Sequence, residues 1–125
     1  MLAHMTTIMP LAAGAFFLAM GIYALAAPAA LIRPFRLTAD TPESRSEIRA
    51  VYGGFGVAIA AVLLLAVLQD GDFRRGVVIT VALALAGMAA GRVLSRVFDR
   101  PTAFYPVWFY CCVEAVAAGL LFVTA

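Results

Sequence analysis

Lysine is absent from this chain, histidine occurs once, and only 13% of the 125 residues are charged. Each scarcity excludes something. Soluble domains carry about 25% charged residues, so this chain has too little polar surface to wrap a globular core. With His4 as the only imidazole, no zinc or haem ligand set can be assembled. The two cysteines, Cys111 and Cys112, are sequence neighbours. Helical neighbours point about 100° apart, so a disulfide between them would break the helix, and no CxxC redox pair exists. They read as small buried hydrophobes. No nucleophile–base pair and no phosphate-binding loop is visible, so a stand-alone enzyme is not expected. A net charge of +2 gives no electrostatic footprint for nucleic acid.

What is abundant is apolar. Hydrophobic residues make up 65% of the chain and the mean hydropathy is +1.01. A membrane-spanning helix needs about 20 mainly apolar residues. Four such stretches can be marked, at about 6–32, 45–69, 75–97 and 103–125, and together they use up nearly the whole chain. The expectation is a single domain over 1–125, all-α, an integral membrane four-helix bundle with the lipid bilayer as its first partner.

Charge placement sets an orientation. The connection between the first two spans carries Arg33, Arg36, Arg45 and Arg49, and the end of the third span with the loop after it adds Arg92, Arg96 and Arg100. The middle connection has Arg74 and Arg75, offset by Asp70 and Asp72. The positive-inside rule then places the first and third connections in the cytoplasm and both termini outside. Ala24-Leu25-Ala26 resembles a signal-peptidase site, but residues 1–10 contain no Lys or Arg leader, so the first span is read as retained.

Local signals place the helix ends. Pro28 falls near the end of the first span as a tolerated kink, and Pro28–Leu37, with Arg33 and Arg36, reads as a short interfacial turn. Two starts are open for the second span: Thr41-Pro42-Glu43 as N-cap, first-turn Pro and acidic residue, or Ser44-x-x-Glu47 as a capping box. Asp70-Gly71-Asp72 and Asp99-Arg100-Pro101 mark turns, and Pro106 opens the fourth span. Trp108, Tyr105, Phe104 and Phe109 read as interfacial anchors. Gly87-x-x-x-Gly91 continues to Ser95 as a small-residue stripe, read as packing within the monomer, with a homo-oligomer or a membrane-protein partner as the alternative. Gly53, Gly54 and Gly56 are given the same role in the second span.

Glu114 stands out against this background, a lone carboxylate in the fourth apolar stretch. A charge at the bilayer centre costs roughly 2.5–3.5 kcal/mol on the insertion scale, so it calls for a partner. Arg49 and Arg92 lie at comparable depth in the second and third spans, with Tyr52, Ser95 and Tyr110 on the same faces. An Arg49–Glu114–Arg92 cluster is expected, with Tyr52 and Tyr110 supplying hydroxyls. Two guanidiniums against one carboxylate would leave a positive surplus for an anion, a lipid headgroup or a quinone carbonyl. The alternatives are a structural ion pair, a site completed by another protein, and a proton-carrying Glu114.

Two motifs carry a resemblance. Glu47-Ile48-Arg49-Ala50-Val51-Tyr52-Gly53-Gly54 and Gly91-Arg92-Val93-Leu94-Ser95, the latter followed by Asp99-Arg100-Pro101, resemble the E-x-R-A-x-Y-G-G and G-R-x-x-S signatures of a bacterial domain-of-unknown-function family. That family comprises small four-helix membrane proteins and is similar to the wider DoxX/DoxD-like group. Glu114 matches its acidic position in the last helix, while Arg100 stands where Gly is usual. The resemblance implies the four-helix fold and puts weight on Arg49, Tyr52, Arg92 and Glu114. Through the wider group it points to membrane redox chemistry, including a quinone-linked thiosulfate oxidoreductase subunit. The expected function is a binding or accessory membrane protein with a polar pocket for a small anionic or lipid-like ligand. The alternatives are an accessory subunit of a quinone-linked complex and a purely structural cluster. No cofactor is required by the residues; quinone and lipid are the ligands such a pocket admits.

Overall fold

The computed structural model describes residues 2–125, and the side chains from His4 onward. Among these residues six α-helices follow one another: α1 Leu2–Ala26, α2 Pro28–Ile32, α3 Pro42–Ile48, α4 Phe55–Leu68, α5 Asp72–Phe98 and α6 Phe109–Thr124. A π-helical segment, Arg49–Gly54, joins α3 to α4 without a break, and a wide turn, Phe104–Trp108, leads into α6. Four stretches are long and apolar enough to cross a membrane: His4–Ala26, Pro42–Leu68, Asp72–Phe98 and Phe104–Thr124. The chain is therefore a multi-pass, all-α membrane bundle.

The first span is shorter than the apolar run suggested. It ends at Ala26 rather than near residue 32, because Ala27 leaves the helical region (φ −141°, ψ 67°). Pro28 is the cause: it excludes the α conformation from the residue before it and has no N–H to continue the ladder. The chain restarts as α2, passes through a 3₁₀ turn at Arg33–Phe35, and leaves it through Arg36 in the left-handed region (φ 61°). This folded-back strap returns to the bundle through a small apolar cluster of Ala24, Ile32, Ala39 and Ile48. Of the two possible starts for the second span, the earlier is used. Thr41 Oγ1 accepts from the Ser44 N–H (3.1 Å) and Ser44 Oγ accepts from the Thr41 N–H (3.2 Å), with Pro42 in the first turn. Ser44 is thus the reciprocating third residue of the box rather than the cap.

The helices pack in a ring, α1 on α4, α4 on α5, α5 on α6, and α6 back on α1, with the α1–α6 seam the thinnest. Phe17, Leu63, Val78, Leu85 and Leu121 meet at the centre. Helix association in lipid depends on close packing more than on water exclusion, and small residues permit it. The tightest approach is between α1 and the second span. A Cβ on Gly21 would lie 2.8 Å from the Val57 nitrogen, and one on Gly56 would lie 2.9 Å from the Phe17 carbonyl. The stripe assigned to monomer packing on α5 behaves otherwise. A Cβ added at Gly87 or Gly91 would meet nothing within 4 Å, so those two face outward.

Candidate functional site

The buried stripe of α5 runs Val78, Val81, Ala82, Leu85, Ala89, at helical spacing, and Arg92 is its next member. The buried stripe of α6 is Cys111, Glu114, Ala118, Leu121. Both charges therefore lie on core-facing stripes of neighbouring antiparallel helices, and they meet. Arg92 Nε donates to Glu114 Oε1 at 2.7 Å and Arg92 Nη2 to Oε2 at 3.0 Å. This is the two-pronged guanidinium–carboxylate fork, the strongest form of charge-assisted hydrogen bond. The Glu114 side chain is 4% exposed and that of Arg92 23%. Within the same helix pair, the Cys111 thiol donates to the Ala89 carbonyl at 3.6 Å.

Aromatic rings complete the enclosure of the guanidinium. Its central carbon lies 5.6 Å from the Phe35 ring centre and 5.9 Å from that of Tyr110. The two rings are themselves 5.6 Å apart. Phe35 comes from the 3₁₀ turn of the strap, so the fold-back forced by Pro28 is what brings this ring to Arg92. Cation–π contacts of this kind contribute about 0.5–2 kcal/mol, more as water is excluded.

A cavity of about 420 Å³ opens beside the pair. Its walls come from α1 (Phe16, Phe17, Met20, Tyr23), the strap (Leu31, Phe35), and α5 (Leu85, Met88). Arg92, Glu114, Tyr52, Tyr105 and Tyr110 supply polar groups. Tyr52 is placed by the π-helical segment and Tyr105 by the wide turn before α6. Tyr105 takes extended dihedrals (φ −91°, ψ 134°), as a residue preceding proline does. π-helical insertions recur at functional sites because they turn side chains off the regular helical stripe.

Residues 5–125 match the sequence pattern of one protein family. The chain belongs to that family, described as Domain of unknown function (DUF4345). No curated protein and no solved structure matches the chain.

In this DUF4345 chain, four of the six sequence-selected residues, Tyr52, Arg92, Tyr110 and Glu114, line one cavity. Arg49 and Ser95 do not. Arg49 is exposed, and its Nε donates to the Leu25 carbonyl at 3.1 Å. Leu25 lies in the last turn of α1, where carbonyls lose their intrahelical partners, and a basic side chain satisfies one of them. The expected three-membered Arg49–Glu114–Arg92 cluster is thus a two-membered pair, with Arg49 fastening the second span to the end of the first. Ser95 is exposed, and its carbonyl accepts from the Asp99 N–H. Phe35 and Tyr23 were not legible as site residues. The available signal for Phe35 was an aromatic between two arginines in a proline-punctuated turn. Tyr105, expected as an interfacial anchor, also lines the cavity.

Proposed function

We propose that this multi-pass membrane protein binds a small ligand in the cavity beside Arg92 and Glu114, as a binding or accessory protein rather than an isolated enzyme. The observation that carries the reading is the combination of a closed ion pair with an adjoining space of about 420 Å³. That volume falls within the range of small-molecule sites, about 300–1,000 Å³, and the lining mixes apolar walls with a few convergent polar groups. Internal scaffolding alone accounts for the fork but gives no reason for space next to it. The proposed contact residues are Arg92, Tyr52, Tyr110 and Tyr105, with Glu114 holding the guanidinium in place.

The two-pronged geometry itself favours a second reading, in which the pair only fixes the order of α5 and α6. An accessory role in a quinone-linked complex, through the wider DoxX/DoxD-like relationship, belongs to the first reading and would name its ligand. The arginine-rich first and third connections support an orientation with both termini outside, and the family resemblance supports a bacterial inner membrane as the setting.

Native mass spectrometry of protein released from nanodiscs tests the site. Wild type is expected to retain a small molecule, and two variants to lose it: Arg92→Ala, and Met88→Trp, which narrows the cavity with a larger side chain and changes neither member of the ion pair. Bare protein in all three samples would reduce the polar cluster to scaffolding and send the search to partner proteins.

A further inference from the structure

The charge balance of the cavity narrows what it can hold. Among the described residues Arg92 is the only cation on its wall, and Glu114 neutralises it through two hydrogen bonds. Arg49, the second cation of the expected cluster, is committed to the Leu25 carbonyl and does not line the space. An anion entering here would face the Glu114 carboxylate, or would have to displace it and strand a buried charge in an apolar wall. What remains for recognition is uncharged. Arg92 Nη1 has no hydrogen-bond partner among the described residues, and Tyr52, Tyr105 and Tyr110 line the same cavity. Much of the remaining wall is apolar, with Phe16, Met20, Leu85 and Met88 prominent.

Size narrows it further. A space of about 420 Å³ lies toward the small end of ligand sites, with room for one alkyl chain and a small head. A two-chain phospholipid is several times larger. Phe16, Tyr23 and Met88 line the cavity and are also exposed, so its wall is continuous with the surface of the bundle.

From these features we infer that the ligand is a free, uncharged, single-chain amphiphile. Its hydroxyl or carbonyl head sits against Arg92 and Tyr52, and its hydrocarbon lies between Met20, Leu85 and Met88. The inference rests on the binding-site reading above and specifies its chemical class. The head accepts a hydrogen bond from Nη1 and exchanges one with a tyrosine hydroxyl, while the Arg92–Glu114 fork stays closed.

Photolabelling in nanodiscs tests it. Three diazirine probes are compared: a medium-length fatty alcohol; the fatty acid of the same length; and a phospholipid with the diazirine in one chain. The alcohol is expected to label α1 near Met20 and α5 near Met88, and to be competed by unlabelled alcohol. Met88→Trp should abolish that labelling with an unchanged melting midpoint. Tyr52→Phe should weaken it roughly three- to tenfold, the value of one neutral hydrogen bond. Stronger cavity labelling by the carboxylate would overturn the uncharged-head inference and leave the binding site standing. Equal labelling by the phospholipid would assign the space to bulk bilayer lipid and overturn the free-ligand inference. No cavity labelling by any probe, together with bare wild-type protein in mass spectrometry, would remove the binding site and the inference with it.

Discussion

Removing Arg92 and Glu114 one at a time and then together shows what holds the polar end of the bundle. The perturbations are Glu114→Leu, Arg92→Met and the double variant. The Glu114 side chain is 4% exposed and that of Arg92 23%, so the carboxylate is shut in and the guanidinium is largely covered. Removing one member of a buried, hydrogen-bonded pair costs about 3–5 kcal/mol, because the remaining charge keeps its desolvation penalty and loses its compensation. The two halves are unequal. Without Glu114, the guanidinium still has the Phe35 and Tyr110 rings and a partly open route outward, so Glu114→Leu is expected to cost about 2–4 kcal/mol. Without Arg92, the carboxylate has no other hydrogen-bond partner among the described residues, so Arg92→Met should cost about 3–5 kcal/mol. The double variant removes both ions and keeps most of the volume, and it should fall within about 2 kcal/mol of wild type. The assay is equilibrium unfolding in mixed micelles, followed by helical circular dichroism, with all four proteins in one detergent. If the single losses simply add in the double variant, within about 0.5 kcal/mol, the residues are energetically independent and the argument from the closed fork fails.

Three further outcomes follow from other parts of the bundle. Gly21→Ala should destabilise by about 1–3 kcal/mol, because its methyl group would enter the backbone of the second span, whereas Gly91→Ala should be neutral or slightly stabilising in the monomer. The reverse order in thermal melts would contradict the assigned helix pairing. Arg49→Gln should cost about 0.5–1.5 kcal/mol, the value of the hydrogen bond to the Leu25 carbonyl, and should leave ligand retention unchanged; a lost ligand would return Arg49 to the site. In the turn between the second and third spans, the Gly71 amide and then Arg74 hold the Asp70 carboxyl below its ordinary value of 3.8. A carboxyl lowered in this way favours the folded state above its unfolded pKa, and that contribution disappears as pH falls through the folded value. An NMR titration should therefore find the Asp70 midpoint below 3.8 and moved upward by Arg74→Gln; an unmoved midpoint would leave the Gly71 amide as the sole cause.

How much could be read in advance varies element by element. The four spans were legible because length and hydropathy alone demand them. Glu114 and Arg92 were legible as partners because an intramembrane charge needs one and helical spacing places both on interior stripes. Arg49 carried the same signal and went elsewhere. Helical depth along a span gives height in the membrane but not rotation between helices, and an open carbonyl at the end of α1 is a competing acceptor that no spacing rule reveals. Likewise, Gly87 and Gly91 have the spacing of a packing motif, yet the close contact is made by Gly21 and Gly56, whose selection depends on which helix faces which.

The sequence by itself determined the class of protein, the number of spans, a capped start for the second span, and the need of Glu114 for a charged partner. These follow from local chemistry and from the bilayer's intolerance of bare polar groups. Only the tertiary structure decided that the pair excludes Arg49, that Phe35 is folded back onto Arg92, and that two irregular turns bring Tyr52 and Tyr105 to one cavity. Those outcomes depend on the relative rotation and closeness of helices, where many small packing contacts compete and no single residue settles the result.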